Sequence, residues 1–153
     1  MSCTHNGSRG LLLCGGTHAT WQCLYTRRVW NWLSRLWLTM TGERIVMRNT
    51  VTLYTGLADT AFPLQWRLLF QTTHYHIWLS WCKWAHEQAK YSPISIQATI
   101  TAHLRDHLAA LHHNAVAEVD KGEASRLFCQ LWCQPQCKIC DIVTNQIIMA
   151  GKW

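Results

Sequence analysis

Residues 27–40, RRVWNWLSRLWLTM, carry the clearest structural pattern in this chain of 153 residues. At 100° per residue, the arginines and small polar residues fall on one side of a helix and the large apolar residues on the other, with only Leu38 misplaced. Thr26 is expected to cap the start of this helix, and Gly42 is expected to end it. The stretch therefore predicts an amphipathic helix whose apolar arc comprises Val29, Trp30, Trp32, Leu33, Leu36, Trp37 and Met40.

This helix allows two functional interpretations. An apolar stripe at helical spacing most often packs against the core of its own domain, and we favour that interpretation. The alternative is an interaction surface, because a basic helix with several tryptophans can fit a protein partner's groove or lie on an anionic membrane. The residues of this predicted interaction surface are Arg27, Arg28, Trp30, Arg35 and Trp37.

The rest of the chain predicts a mainly α protein, a small helical domain with a minor β-hairpin. Alternating β-branched residues place the hairpin within residues 44–55, with its turn near Asn49. Residues 1–20 contain several glycines and little periodicity, so they predict a loose N-terminal tail. Residues 21–153 are then expected to form one domain, because that length suffices for a single core.

Two helical segments are predicted between the hairpin and the middle of the chain. Residues 64–73 are apolar all round, and residues 74–90 show an amphipathic pattern that places His76 on the polar face. The Thr72-Thr73 pair predicts a break between the two segments, because β-branched residues have low helix propensity.

The C-terminal half predicts two more helices and a short strand. Ser92 and Pro93 start a long helix that is expected to fade at residues 119–122. A shorter helix follows at residues 123–133, and the apolar residues within 142–149 predict a short strand. The buried stripe of the long helix is expected to comprise Ile96, Ile100, Leu104, Leu108, Leu111 and Ala115.

Composition sets limits on compartment and partners. Charged residues make up only 14% of the chain, and the net charge of +6 arises entirely in the first 100 residues, where nine Lys/Arg face three Asp/Glu. This balance permits an anionic partner. No signal peptide and no transmembrane segment is recognised, so we expect an intracellular protein whose cysteines are thiols or metal ligands.

Four cysteines lie within twelve residues near the C-terminus, and four histidines precede them. His103 and His107 project from one side of the long helix, with His107 inside the apolar arc and His103 at its edge. Cys137 and Cys140 form a C-x2-C step, whose two thiolates can reach one ion. The combined pattern H-x3-H-x29-C-x2-C predicts a tetrahedral structural zinc site.

An all-thiolate zinc site is the alternative ligand set. Cys129 and Cys133 share one face of the last helix and can join Cys137 and Cys140 around the ion. Some of these thiols can instead be small core residues, as buried cysteines often are.

The order and spacing of the first ligand set resemble the His-His-Cys-Cys zinc module at the N-terminus of retroviral integrases. LHHNA at residues 111–115 is similar to the segment after the first histidine in some of those modules. The resemblance covers about residues 100–145 and implies a zinc-bound three-helix unit that mediates multimerisation. This chain departs from the family at Trp132, Cys133 and Pro135, where apolar Ile/Val residues are expected, and no three-carboxylate core follows.

Motifs typical of enzymes are absent from the sequence: it contains no Gly-rich phosphate loop, no H-E-x-x-H and no G-x-S-x-G. The sequence therefore predicts a non-enzymatic accessory or adaptor protein with a structural zinc site and a Trp-rich basic interaction surface. One alternative is a peripheral membrane-binding protein that acts through the helix at residues 27–40. The other is an unselected reading frame without function, because ten tryptophans and few acids are unusual together.

Overall fold

The computed structural model describes residues 18–45, 63–117, 121–135, 137–144 and 146–150. In chain order its elements are a π-helical turn at His18–Gln22, helices α1 (Leu24–Thr41), α2 (Leu64–Glu87), α3 (Pro93–Ala117) and α4 (Lys121–Trp132), and strands β1 (Cys140–Val143) and β2 (Gln146–Met149). This mainly helical fold confirms the predicted class. None of the described helices combines the length and the apolar character that crossing a bilayer requires.

Helix α1 confirms the amphipathic helix predicted at residues 27–40, but it begins three residues earlier. Cys23 occupies the N-cap position, and the Thr26 hydroxyl donates a hydrogen bond of 2.9 Å to the Cys23 carbonyl from inside the first turn. Thr26 is therefore not the cap that the sequence predicted. Gly42 ends the helix as predicted: its φ is 74°, and its N–H donates to the Leu38 carbonyl at 2.8 Å.

Helix α2 corrects the predicted break. One continuous helix runs through the Thr72-Thr73 pair, because both side chains are buried and tertiary packing outweighs their weak helix propensity. His76, expected on the polar face, is also buried, since α3 covers this side of α2. The helix ends at Gln88, whose φ of 55° is left-handed.

Helix α3 begins at Pro93, as predicted, and extends to Ala117; residues 119–120 of the predicted fading segment lie outside the described residues. Ser92 caps it, because the Ser92 hydroxyl accepts from the Ser95 N–H at 3.0 Å. Four residues of the predicted stripe are buried, whereas Leu111 is 37% exposed. The buried residues of α3 are Ile96, Ile100, Leu104, Leu108 and His112.

The prediction that His107 faces the core is wrong, since His107 is exposed. The buried residues of α3 follow an i,i+4 line, and such a line drifts around the helix by about 40° per step. At the level of residue 107 the buried direction has therefore moved about 90° away from the direction that Ile96 and Ile100 define. His112 lies on the drifting line and is buried instead.

The β-hairpin lies at the C-terminal end of the described chain. Residues 44–45 of the predicted hairpin have no strand structure, and the rest of that segment lies outside the described residues. The segment predicted as one short strand at residues 142–149 instead contributes to two antiparallel strands, with Cys140 opposite Met149 and Val143 opposite Gln146. The Ile139 N–H donates to the Trp132 carbonyl at 3.1 Å, which joins the hairpin to the end of α4.

The core is centred on α3, which packs against α1, α2, α4 and β2. Aromatic rings fill the space between α1 and α2: Trp30 lies 5.2 Å from Phe70, and Trp37 lies 5.2 Å from Trp66. Trp21, from the π-helical turn, stacks on Trp30 at 4.5 Å. The boundary predicted at residue 20 falls inside this turn, and residues 1–17 lie outside the described chain.

Candidate interaction face and Cys/His sites

The predicted interaction surface of α1 separates into two faces in the structure. Arg27, Arg28 and Arg35 are exposed, whereas Trp30 and Trp37 are 5% and 2% exposed and lie in the core. The two tryptophans therefore do not belong to a surface, which agrees with the core packing favoured for this helix. What α1 presents outward is an arginine face.

The arginines of α1 take no part in the ion pairs found among the described residues. Those pairs join Arg105 to Asp106, Arg126 to Glu123 and Lys138 to Asp141. Arg35 uses one donor locally, because its Nε donates to the Asn31 carbonyl at 3.3 Å. The remaining guanidinium donors face solvent and can bind an anionic group.

The predicted zinc ligands fall into two separate groups. His103 and His107 are exposed on α3, and Nδ1 of His103 lies 2.8 Å from Nε2 of His76 on α2. Cys137 and Cys140 follow α4, with Cys140 buried beside the Trp132 carbonyl. Within the described ranges, no three His, Cys, Asp or Glu side chains are grouped to hold a metal ion, so the structure does not assemble the four predicted ligands.

The His76–His103 pair follows from no pattern in the sequence. Its rings are nearly perpendicular, at 88°, with centroids 5.1 Å apart. Burial lowers the pKa of His76, and the neighbouring His103 lowers it further. The two residues are 27 positions apart in sequence and meet because α2 and α3 pack against each other, so no local pattern could have revealed the contact.

The thiols near the C-terminus form a close pair. Cys133 Sγ and Cys140 Sγ are 3.9 Å apart, and Cys140 is completely buried. Burial raises the pKa of the Cys140 thiol far above its usual range, and the neighbouring Cys133 adds to the shift. Burial also raises the pKa values of Cys133 and Cys137. These protonated thiols are poor nucleophiles, but two thiolates this close can share a soft cation.

A cleft opens between α3 and β2, with a volume of about 510 Å³. Arg105, His112, His113 and Gln146 supply its polar groups, and Ile147 contributes part of its apolar wall. The buried His112 also makes an edge-to-face contact with Phe128 of α4, with centroids 5.1 Å apart. No local sequence pattern predicts this cleft, because its walls come from segments about 30 residues apart.

Comparison with protein-family models, with curated proteins and with solved structures finds no match for this chain.

Proposed function

We propose that the protein is a non-enzymatic adaptor that binds an acidic surface of a partner protein through the outward face of α1. One observation carries the proposal: this face displays Arg27, Arg28 and Arg35 to solvent, and α1 contains no Asp or Glu that could neutralise them. Arginine is the basic residue most enriched in protein interfaces, because its planar guanidinium can bind carboxylates through two hydrogen bonds.

The arginine face also carries apolar side chains in the right place for a partner. Leu24, Arg28, Asn31, Arg35 and Leu38 follow one another at steps of four and three residues, so they form a single line along the helix. Leu24 is 66% exposed and Leu38 is 37% exposed. A line with two arginines between two apolar residues favours a partner that presents carboxylates between apolar contacts.

The membrane alternative is weaker because the apolar side chains of α1 that could insert into lipid are packed in the core of the protein. An amphipathic helix binds lipid by burying its apolar face between headgroups. In α1 that face is packed against α2 and α3, and Trp30 and Trp37 are inside the core. Moving these rings into lipid would cost several kcal/mol in lost packing. The arginines alone could still bind anionic headgroups, so the experiment must include vesicles.

The test compares two triple charge reversals in the full chain. Arg27→Glu/Arg28→Glu/Arg35→Glu removes the arginine face. Its matched control reverses exposed cations elsewhere, at Arg44, Lys90 and Arg126. Each reversal removes two charges, so both triple variants have a formal net charge of zero instead of +6. Fluorescence anisotropy measures binding of a labelled peptide rich in Asp and Leu, at low and physiological salt.

We expect the α1 triple variant to bind the peptide about tenfold more weakly or worse, and the control to lose less than about threefold. Circular dichroism confirms that both variants stay folded. Equal weakening in both variants would show that binding follows net charge and would contradict the proposal. Binding of the wild type to phosphatidylserine vesicles but not to the peptide would favour the membrane alternative instead.

Zinc binding at the thiols is a second candidate function, and the 3.9 Å separation between the Cys133 and Cys140 sulfur atoms favours it. Two thiolates on a tetrahedral zinc ion lie about 3.8 Å apart, given a Zn–S distance of about 2.3 Å. Burial is the main cause that raises the pKa of Cys140, and neighbouring negative charges add to it. A bound cation would neutralise those charges. Cys129 and Cys137 are the nearest further ligands in sequence, and Cys129 already interacts with Cys133.

Metal analysis of the purified chain, before and after a chelator, tests this second candidate. We expect about one zinc per chain, lost in Cys133→Ser and Cys140→Ser and retained in the control Cys82→Ser, whose thiol lies on α2. The absence of stoichiometric zinc in the wild type would end the proposal.

A further inference from the structure

We propose that His103 and His107 form an exposed two-histidine site for a divalent transition-metal ion on the outer face of α3. The site is separate from the arginine face of α1 and from the thiols. Imidazole nitrogen suits Ni²⁺, Cu²⁺ and Zn²⁺, and it does not select Mg²⁺ or Ca²⁺.

The helix supplies the spacing. His103 and His107 are four residues apart within α3, and both are exposed. Side chains at i and i+4 lie on the same side of a helix, with Cβ atoms about 6 Å apart. Two histidines at this spacing are the arrangement that helical zinc-binding motifs use to bind one ion. The site therefore needs no rearrangement of the backbone.

The contact with α2 orients the first of these ligands. Nδ1 of His103 lies 2.8 Å from Nε2 of His76, so Nδ1 is committed to this hydrogen bond. Metal binding through Nε2 of His103 requires a proton on Nδ1, which donates to Nε2 of His76. Histidine ligands commonly make such a hydrogen bond through the second ring nitrogen, which fixes the tautomer and raises the basicity of the ligating nitrogen.

The surroundings of His76 make it a suitable acceptor. His76 is only 7% exposed, and its Nε2 lies 2.8 Å from Nδ1 of His103, so its ring is placed to accept the hydrogen bond from His103. Tyr75 contacts both rings edge to face, at 5.2 Å from His76 and 6.3 Å from His103. These contacts limit rotation of His103. Among the described residues, no comparable ring contact is found for the exposed His107.

Two imidazoles leave several coordination positions to water. In the described residues no third His, Cys, Asp or Glu joins them. The site therefore takes ions that bind tightly through few nitrogen ligands, in the order Cu²⁺, then Ni²⁺. Ni²⁺ is the better probe, because Cu²⁺ can oxidise the eight cysteines of the chain.

The test is a titration of the full-length chain with Ni²⁺, followed by NMR of ¹³C-labelled histidine. Ni²⁺ is paramagnetic and broadens only resonances near the ion, so the spectrum locates the site. At substoichiometric Ni²⁺ we expect selective broadening of the His103 and His107 ring signals. The affinity is measured in the same titration.

His107→Ala removes one ligand, and His113→Ala is its matched control. His113 is also exposed on α3, but its i−4 and i+4 neighbours are Ala109 and Ala117, so it has no histidine partner. We expect His107→Ala to weaken Ni²⁺ binding about tenfold or more, and His113→Ala to leave it unchanged. The cysteines are identical in both variants and contribute equally.

His76 is tested as a positioning residue. His76→Leu removes the acceptor and should weaken binding about 10- to 100-fold. His76→Gln keeps an acceptor oxygen and should recover part of that loss. Broadening that begins at other histidines, or an equal effect of His107→Ala and His113→Ala, would overturn the proposal. His107 is on the surface, so this decisive pair of variants does not depend on whether the His76 variants fold.

Discussion

Trp30 and Trp37 lie on the same buried side of α1, but their indole N–H groups have different surroundings. Nε1 of Trp30 donates to the Thr20 carbonyl at 2.8 Å, which ties the π-helical turn to α1. Nε1 of Trp37 is buried and finds no acceptor within the part of the chain that the structure describes. A buried donor without a partner loses its hydration and gains nothing in return. Trp30 therefore contributes a hydrogen bond as well as packing, whereas Trp37 contributes packing.

This difference predicts unequal costs for the same substitution. Trp30→Phe removes a buried hydrogen bond as well as volume, whereas Trp37→Phe removes volume and an unpaired donor. We expect Trp30→Phe to lower the free energy of unfolding by about 1 kcal/mol more than Trp37→Phe. Urea denaturation followed by far-UV circular dichroism measures both. Equal costs, or a larger cost at Trp37, would contradict the assignment of the hydrogen bond.

The buried His76 predicts a dependence of stability on pH. Its pKa is lowered in the folded state, first by burial and then by the neighbouring His103, so the unfolded chain binds a proton more readily. Stability contributed by His76 is present above the unfolded pKa of about 6.5 and is lost as the pH falls below it. Denaturation midpoints at pH 8, 7, 6 and 5 should fall with pH.

His76→Gln should reduce this fall, because glutamine does not titrate in the range. His74, whose pKa is also lowered by burial, contributes in the same direction and leaves part of the dependence in place. A midpoint that does not change between pH 8 and pH 5 would show that neither histidine prefers its neutral form in the fold.

At the scale of the elements, glycines in two different conformations mark the end of one helix and the start of another. Gly42 ends α1 with φ at 74°, a conformation that costs an L side chain energy. Gly122 lies in the first turn of α4, where the backbone is helical and glycine is unfavourable. An added Cβ would meet nothing within 4 Å at either position. Backbone conformation alone therefore decides the effect of a substitution.

Gly42→Ala and Gly122→Ala should have opposite effects. We expect Gly42→Ala to destabilise the protein by about 1 kcal/mol, because alanine resists a positive φ. Gly122→Ala should stabilise it by about 0.5 kcal/mol, because alanine favours the helix. Thermal melts of both variants beside the wild type measure the two signs. Destabilisation by both would indicate that α4 does not begin where the structure places it.

At the scale of the whole molecule, α3 connects the two ends of the core. It packs against α1, α2, α4 and β2, and near its C-terminal end His112 contacts Phe128 of α4. Trp30 and Trp37 of α1 and Trp66 of α2 lie in the same buried cluster, and Trp21 of the π-helical turn packs against it. A core this continuous predicts that the domain unfolds as one unit.

Tryptophan fluorescence and far-UV circular dichroism should therefore report the same cooperative transition, with a free energy of unfolding of about 5 kcal/mol or more. The fluorescence reports the tryptophans of the π-helical turn, α1, α2 and α4, and the circular dichroism reports all helices. This measurement also tests the alternative of an unselected reading frame. A broad, non-cooperative change in both signals would favour that alternative and would remove the basis of the structural proposals.

The sequence determined most of the secondary structure by itself. The stripe of α1, Gly42 at its end, and Pro93 at the start of α3 are local signals, because helical periodicity, capping and the fixed φ of proline act within a few residues. Spacing also placed His103 and His107 on one side of their helix. These features depend only on residues that are close together in the sequence, so the sequence is sufficient to predict them.

The tertiary structure decided which local signals prevail and which residues meet. Burial kept α2 continuous through Thr72 and Thr73, and the drift of the packed stripe turned His107 outward and His112 inward. The contacts of His76 with His103 join residues on different helices, and Cys133 and Cys140 meet only where β1 folds back on the end of α4. Such contacts depend on how elements pack in three dimensions. The periodicity of one helix or strand does not predict which residues of another element it contacts.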